Sequence, residues 1–63
     1  MEKPTCELIG QDGNVFNLIG IASRTLRRAG MSKEASEMSN KIMTSAKSYD
    51  EALSIIGDYV EIC

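Results

Sequence analysis

The sequence contains no histidine and no tryptophan, and it has only two cysteines, one proline and one phenylalanine. Without histidine, two cysteines cannot supply the usual ligands of a four-ligand zinc site. Nucleophilic catalysis by Cys6 or by a serine also lacks its ordinary neighbouring base. We therefore expect no enzymatic activity, no bound metal and no other cofactor.

Long apolar segments are missing as well. No run approaches the ~20 residues that span a bilayer, and no apolar stretch follows Lys3 as it would in a secretory signal. These features predict a cytoplasmic protein without membrane contact. In a reducing cytoplasm Cys6 and Cys63 are expected to be free thiols.

The chain length of 63 residues predicts a single small domain, residues 1–63, with one core. For a chain of this size the gain from apolar burial and the loss of conformational entropy nearly cancel. A partner could supply the missing stability. We therefore expect a protein partner or self-association.

Strand patterns lie at the two ends of the chain. Residues 5–9 alternate in part and are closed by Gly10, and residues 60–63 alternate again. Such a two-stranded ribbon is weak unless helices cover one face. Three helices are predicted between the strands. The expected fold is a helix-dominated α+β domain in the order β-α-α-α-β, with two short terminal strands that could pair against a three-helix layer.

The first predicted helix begins at Val15 after the N-cap Asn14 and ends at Gly30. The second is capped by Ser32 and runs to about Ser45. The third follows a capping box of Ser48 and Glu51, in which each side chain reaches the other's backbone N–H. It ends near Tyr59 or Val60.

Helical periodicity predicts one buried face on each of these helices. The residues of these faces are, in chain order, Val15, Leu18, Ile19, Ala22, Leu26 and Ala29; then Ala35, Met38, Ile42 and Ala46; then Tyr49, Ala52, Leu53, Ile56 and Val60.

Three segments, LIGQDGNVF at residues 8–16, LRRAG at 26–30 and YVEI at 59–62, resemble a group of short proteins from bacteria and their mobile elements. That group has no established activity. The resemblance implies a compact domain and an origin in a phage or mobile element, and it assigns no functional residue.

The segment Ala29-Gly30-Met31-Ser32 resembles the turn of bacterial helix-turn-helix proteins, whose second helix reads the DNA major groove. This resemblance implies a small transcriptional regulator as the alternative function. Glu34 and Glu37 lie on the same helix and the net charge is −2, which disfavours binding to phosphates. The candidate DNA contacts are Arg27, Arg28, Lys33 and Asn40.

Charge is unevenly distributed, with a net +3 over residues 24–41 and −4 over residues 48–63. On the outer face of the first helix, large apolar residues flank arginines, a composition typical of protein interfaces. The alternative is that Phe16 and Ile21 border the core. The leading prediction is a non-enzymatic protein-interaction or accessory domain. Its candidate interface consists of Phe16, Asn17, Ile21, Arg24 and Arg28.

Overall fold

A computed structural model describes residues 3–8 and 14–63. It confirms the predicted helix-dominated α+β fold and its β-α-α-α-β order. Ile9, which belongs to the first predicted strand, the closing Gly10 and residues 11–13 lie outside the described residues. The elements are β1 Thr5–Cys6, α1 Val15–Arg28, α2 Ser32–Ser45, α3 Tyr49–Tyr59 and β2 Glu61–Ile62.

The two strands pair, and they run parallel, with Thr5 opposite Glu61 and Cys6 opposite Ile62. Parallel neighbours need a long crossover connection, which the three helices provide. Cys63 extends the pairing beyond β2, since its N–H donates to the Cys6 carbonyl oxygen at 3.0 Å and its own carbonyl accepts from Leu8 at 2.9 Å. The two terminal segments are therefore hydrogen-bonded to each other from Pro4 to Leu8 and from Glu61 to Cys63.

The register determines the relation between the two thiols. Cys63 follows Ile62, the partner of Cys6, and successive side chains of a strand point to opposite faces. Cys6 is buried, whereas Cys63 is exposed. The Cys63 thiol donates to the backbone oxygen of Cys6 at 3.6 Å. The two sulfurs thus lie on opposite faces of the ribbon.

We therefore expect that mild oxidation of the folded protein produces no intramolecular disulfide, because the side chains must point toward each other for a bridge to form. Intact mass spectrometry after oxidation checks this, with the same treatment in denaturant as the control in which the bridge can form. Quantitative loss of two hydrogens under native conditions would show that this register is wrong.

The core lies between the three helices and the inner face of the ribbon. Leu26, Met38 and Ile56, one from each helix, are completely buried. A hydrogen bond of 3.2 Å between the hydroxyls of Ser23 and Ser39 joins α1 to α2 within this region. The buried apolar side chains of the described residues are Cys6, Leu8, Leu18, Ala22, Leu26, Ala35, Met38, Ile42, Ala52, Ile56 and Val60.

Two residues predicted to be buried are exposed. Ala29 is the C-cap of α1 and lies outside the packed part of the helix. Tyr49 is the first residue of α3, and its side chain lies at the edge of a surface groove rather than in the core. Both errors occur at helix ends, where the neighbouring helices no longer cover the face that periodicity selects.

The N-cap residue of α2 differs from the predicted one. Gly30 has a φ of 78°, and the Met31 N–H donates to the Leu26 carbonyl at 2.8 Å while the Gly30 N–H donates to that of Arg27 at 3.1 Å. This is the Schellman pattern. Met31, and not Ser32, is then the N-cap of α2, and no side chain caps that helix.

At the start of α3, half of the predicted capping box is present. The Ser48 hydroxyl accepts from the Glu51 N–H at 3.2 Å, as predicted. The Glu51 carboxylate, however, accepts from the N–H of Lys47 at 3.0 Å and not from that of Ser48. The glutamate therefore secures the turn after α2 as well as the first turn of α3.

Within the described part of the chain, no helix has the length and hydropathy needed to cross a membrane.

Candidate protein-binding groove

An apolar groove of about 370 Å³ lies where the first turns of α1 and α3 meet the last turns of α2. Its floor includes Ile42 and Ala52, both buried. Ala46 and Ala52 have short side chains, so the three helix ends leave this space open. The lining residues are Val15, Phe16, Ile19, Ile42, Met43, Ala46, Lys47, Ser48, Tyr49 and Ala52.

Local hydrogen bonds hold the two helix N-termini beside the groove. The Asn14 side chain accepts from the Phe16 N–H at 2.9 Å and fixes the start of α1. The bonds of Ser48 and Glu51 described above fix the turn from α2 into α3. Side-chain caps of this kind contribute about 1 kcal/mol each. The groove is thus built on ordered helix ends.

Three large apolar side chains project at the rim of the groove. Phe16 is 67% exposed, Met43 69% and Tyr49 44%, and all three line the groove. Ile62 is the fourth large apolar residue that is exposed among those described. Scattered apolar side chains are ordinary on a protein surface, but a contiguous group is typical of an interaction site.

The predicted interface on α1 is only partly apolar in the structure. Phe16, Asn17, Arg24 and Arg28 are exposed, whereas Ile21 is half-buried and packs against the core. Of these five residues, only Phe16 lines the groove. The groove therefore begins at the first turn of α1 and continues onto α2 and α3.

Sequence reasoning selected Phe16 but missed Met43 and Tyr49. Met43 follows Ile42 in the chain but lies off the buried stripe of α2. Tyr49 was predicted to lie in the core. One signal could have identified Met43, because a large apolar residue outside the buried face of an amphipathic helix must be exposed or covered by a partner. Methionine is also common at adaptable binding surfaces.

The four candidate DNA contacts are all exposed. Arg27 and Arg28 end α1, and Lys33 lies in the first turn of α2, so these three surround the turn between the helices. Asn40 lies seven residues after Lys33, or about 10 Å along the helix axis at 1.5 Å per residue. The structure thus groups the basic residues and places Asn40 apart from them.

No protein-family model, curated protein or solved structure matches the chain. The fold and the groove define the class of this protein as a small helix-dominated α+β domain with an exposed apolar groove. Membership in the group of bacterial and mobile-element proteins, and the likeness to helix-turn-helix proteins, stay predictions from the sequence.

Proposed function

We propose that this chain is a non-enzymatic protein-interaction domain whose binding surface is the apolar groove between α1, α2 and α3. One observation carries the proposal: three of the four large exposed apolar side chains of the described residues, Phe16, Met43 and Tyr49, line the same groove. Burial of apolar and aromatic side chains is the main source of affinity at the centre of protein interfaces.

The proposal modifies the interface expected from the sequence. Phe16 stays a contact residue, and Met43 and Tyr49 replace Ile21 as its apolar neighbours. Asn17 would then belong to the polar rim on α1, whereas Arg24 and Arg28 lie eight and twelve residues after Phe16, about 12 and 18 Å along the helix axis at 1.5 Å per residue, and do not line the groove. Such a division into an apolar centre and a polar rim is usual for protein interfaces.

The wider role is proposed from the sequence. The resemblance to mobile-element proteins supports an accessory factor of such an element. A cytoplasmic location, which is the expectation from the sequence, is part of the proposal. The proposal includes no catalysis and no cofactor. The sequence has no histidine, which could otherwise serve as an activating base or as a metal ligand.

Site-specific photo-crosslinking in the source cell tests the proposal. Replacing Phe16 with p-benzoylphenylalanine should give a covalent adduct to a polypeptide, because this side chain lies at the rim of the groove. Asn40, which is exposed on α2 and outside the groove, provides the control position and should give none. If position 16 gives no adduct under conditions in which the protein is folded, the groove is not a protein-binding surface.

The alternative function, a small DNA-binding regulator, is supported by the exposed basic residues around the turn between α1 and α2. If it is correct, affinity should fall steeply with salt, and Arg27→Ala should reduce it more than Lys41→Ala. Fluorescence anisotropy with duplex DNA at low salt measures both effects.

Under the protein-interaction proposal we expect no DNA binding tighter than about 10⁻⁴ M, the weak end of ordinary nonspecific affinity. Tighter binding that depends on Arg27, Arg28, Lys33 and Asn40 would favour the regulator instead. If the chain is such a regulator, the crosslinker at position 40, a candidate DNA contact, should give an adduct that is sensitive to nuclease.

A further inference from the structure

We infer that residues 3–8 form a strap that opens while the three helices stay packed, and that the Cys6 thiol reacts only when this strap is open. Cys6 is 1% exposed, yet it lies on the two-residue strand β1. A buried nucleophile on so short a strand points to a conformational device. No residue of the strap lines the groove, so the strap is separate from the proposed binding surface.

The packing of the elements allows the strap to open by itself. Among the described elements, β1 packs on α1 and β2 alone, whereas each of the three helices packs on the other two. Of the eleven buried apolar side chains in the described residues, eight lie within the helices, and the strap supplies Cys6 and Leu8. Removing the strap therefore breaks no contact between helices.

The interactions that hold the strap lie mostly at the surface. Backbone hydrogen bonds of 2.9–3.0 Å join it to Glu61 and Cys63. An exposed hydrogen bond of 2.8 Å from the Lys3 ammonium to the Gly57 carbonyl attaches it to the last turn of α3. A two-stranded ribbon is marginally stable in water, and a segment with few buried side chains opens at a lower free energy than the whole molecule.

Burial makes the Cys6 thiol a reporter of the strap. In the closed state the Thr25 hydroxyl on α1 donates to its sulfur at 3.5 Å, and the side chain is inaccessible to reagents. Cys63 is exposed and can react without any movement. The ratio of the two labelling rates therefore measures how often the strap is open. Because opening also releases Cys6 from its place in the ribbon, the oxidation experiment on the register must be shorter than the labelling time of Cys6.

Alkylation with iodoacetamide under native conditions, followed by mass spectrometry of the two cysteines, tests the strap. A cysteine thiolate displaces iodide from the reagent, so that an S–C bond replaces the C–I bond and the thiol proton goes to the buffer. Cys63 should react at the rate of an accessible thiol. Cys6 should react about 10- to 100-fold more slowly, because local opening costs less than global unfolding.

The Gly20→Ala variant distinguishes local opening from global unfolding. An alanine at this position should make α1 more stable, because its added Cβ meets nothing within 4 Å. If the strap opens alone, the labelling rate of Cys6 stays as in wild type. If Cys6 is exposed only when the whole chain unfolds, Gly20→Ala slows its labelling about two- to fivefold, and the strap is refuted.

A matched pair of leucine truncations tests the same point in the opposite direction. Leu8→Ala removes a buried side chain of the strap and should speed the labelling of Cys6 roughly 10-fold or more. Leu53→Ala removes a half-buried side chain of α3 that packs against the core, and it should leave that rate unchanged although urea denaturation shows a lower stability. Acceleration by both variants would show that strap and helices unfold together.

A group attached to Cys6 should keep the strap open, because the buried sulfur has no free surface for additional atoms. Hydrogen exchange compares protein alkylated at Cys63 alone with protein alkylated at both cysteines. In the second form the amides of Leu8 and Glu61, which donate across the ribbon, should exchange at least about 10-fold faster, whereas the helical amides of Leu26 and Met38 stay protected. Equal loss of protection in the helices, or unchanged protection in the ribbon, would overturn the strap.

Discussion

Replacing Met38 with alanine is expected to unfold much of the protein at room temperature. Met38 is completely buried in the middle of α2, and truncating a buried methionine to alanine costs about 2–5 kcal/mol through lost burial and the cavity that is left. A single core of this size supplies a net stability of only about 3–5 kcal/mol. The loss is therefore comparable to the whole free energy of unfolding.

Met43→Ala provides the matched control, since it is the same substitution five residues further along the same helix. Met43 is 69% exposed, so its truncation should change the free energy of unfolding by no more than about 0.5 kcal/mol. Urea denaturation followed by circular dichroism measures both variants. Equal losses for the two variants would contradict the placement of α2.

The helices and their main buried stripes were predictable because apolar spacing is a local property of the chain. Leu18, Ala22 and Leu26 on α1 follow the helical period, and the structure buries all of them. The order of elements followed from the same periodicity. The parallel direction of the strands did not, because it depends on the path of three helices through space rather than on any pattern within residues 5–9 or 60–63.

The errors arose where tertiary contacts decide whether a side chain is buried, or where turn geometry decides which residue caps a helix. Tyr49 has the correct spacing for the core, but it lies where α1 begins and α2 ends, which leaves its side chain at the groove. Ser32 is a good N-cap residue, yet the Schellman turn at Gly30 assigns that position to Met31. Met31 is half-buried and packs against the core. At this position the side chain thus makes apolar contacts and no capping hydrogen bond.

The candidate site was predictable only in part for the same reason. Phe16 stood out because it lies off the buried face of its own helix. The groove itself requires three helix ends to meet, and residues 16, 43 and 49 are too distant in sequence for spacing to relate them. Short side chains at Ala46 and Ala52, which create the open volume, have no distinguishing pattern in the sequence.

Gly30→Ala should destabilise the protein by about 1–2 kcal/mol, the cost of placing an L-residue in the left-handed region. Gly30 has a φ of 78°, and an added Cβ would meet nothing within 4 Å. The backbone conformation is therefore the direct source of the loss. Because the Schellman bonds of Gly30 and Met31 depend on this conformation, the variant should also loosen the junction between α1 and α2.

Gly20→Ala is the same substitution inside α1, where an added Cβ likewise meets nothing within 4 Å. Here the backbone is helical, so alanine should stabilise the protein by about 0.5–1 kcal/mol. The two variants should thus change the free energy of unfolding in opposite directions, as measured by thermal and urea denaturation. If Gly30→Ala were neutral or stabilising, the turn could not require a positive φ. The position of Met31 as the cap of α2 would then lose its structural basis.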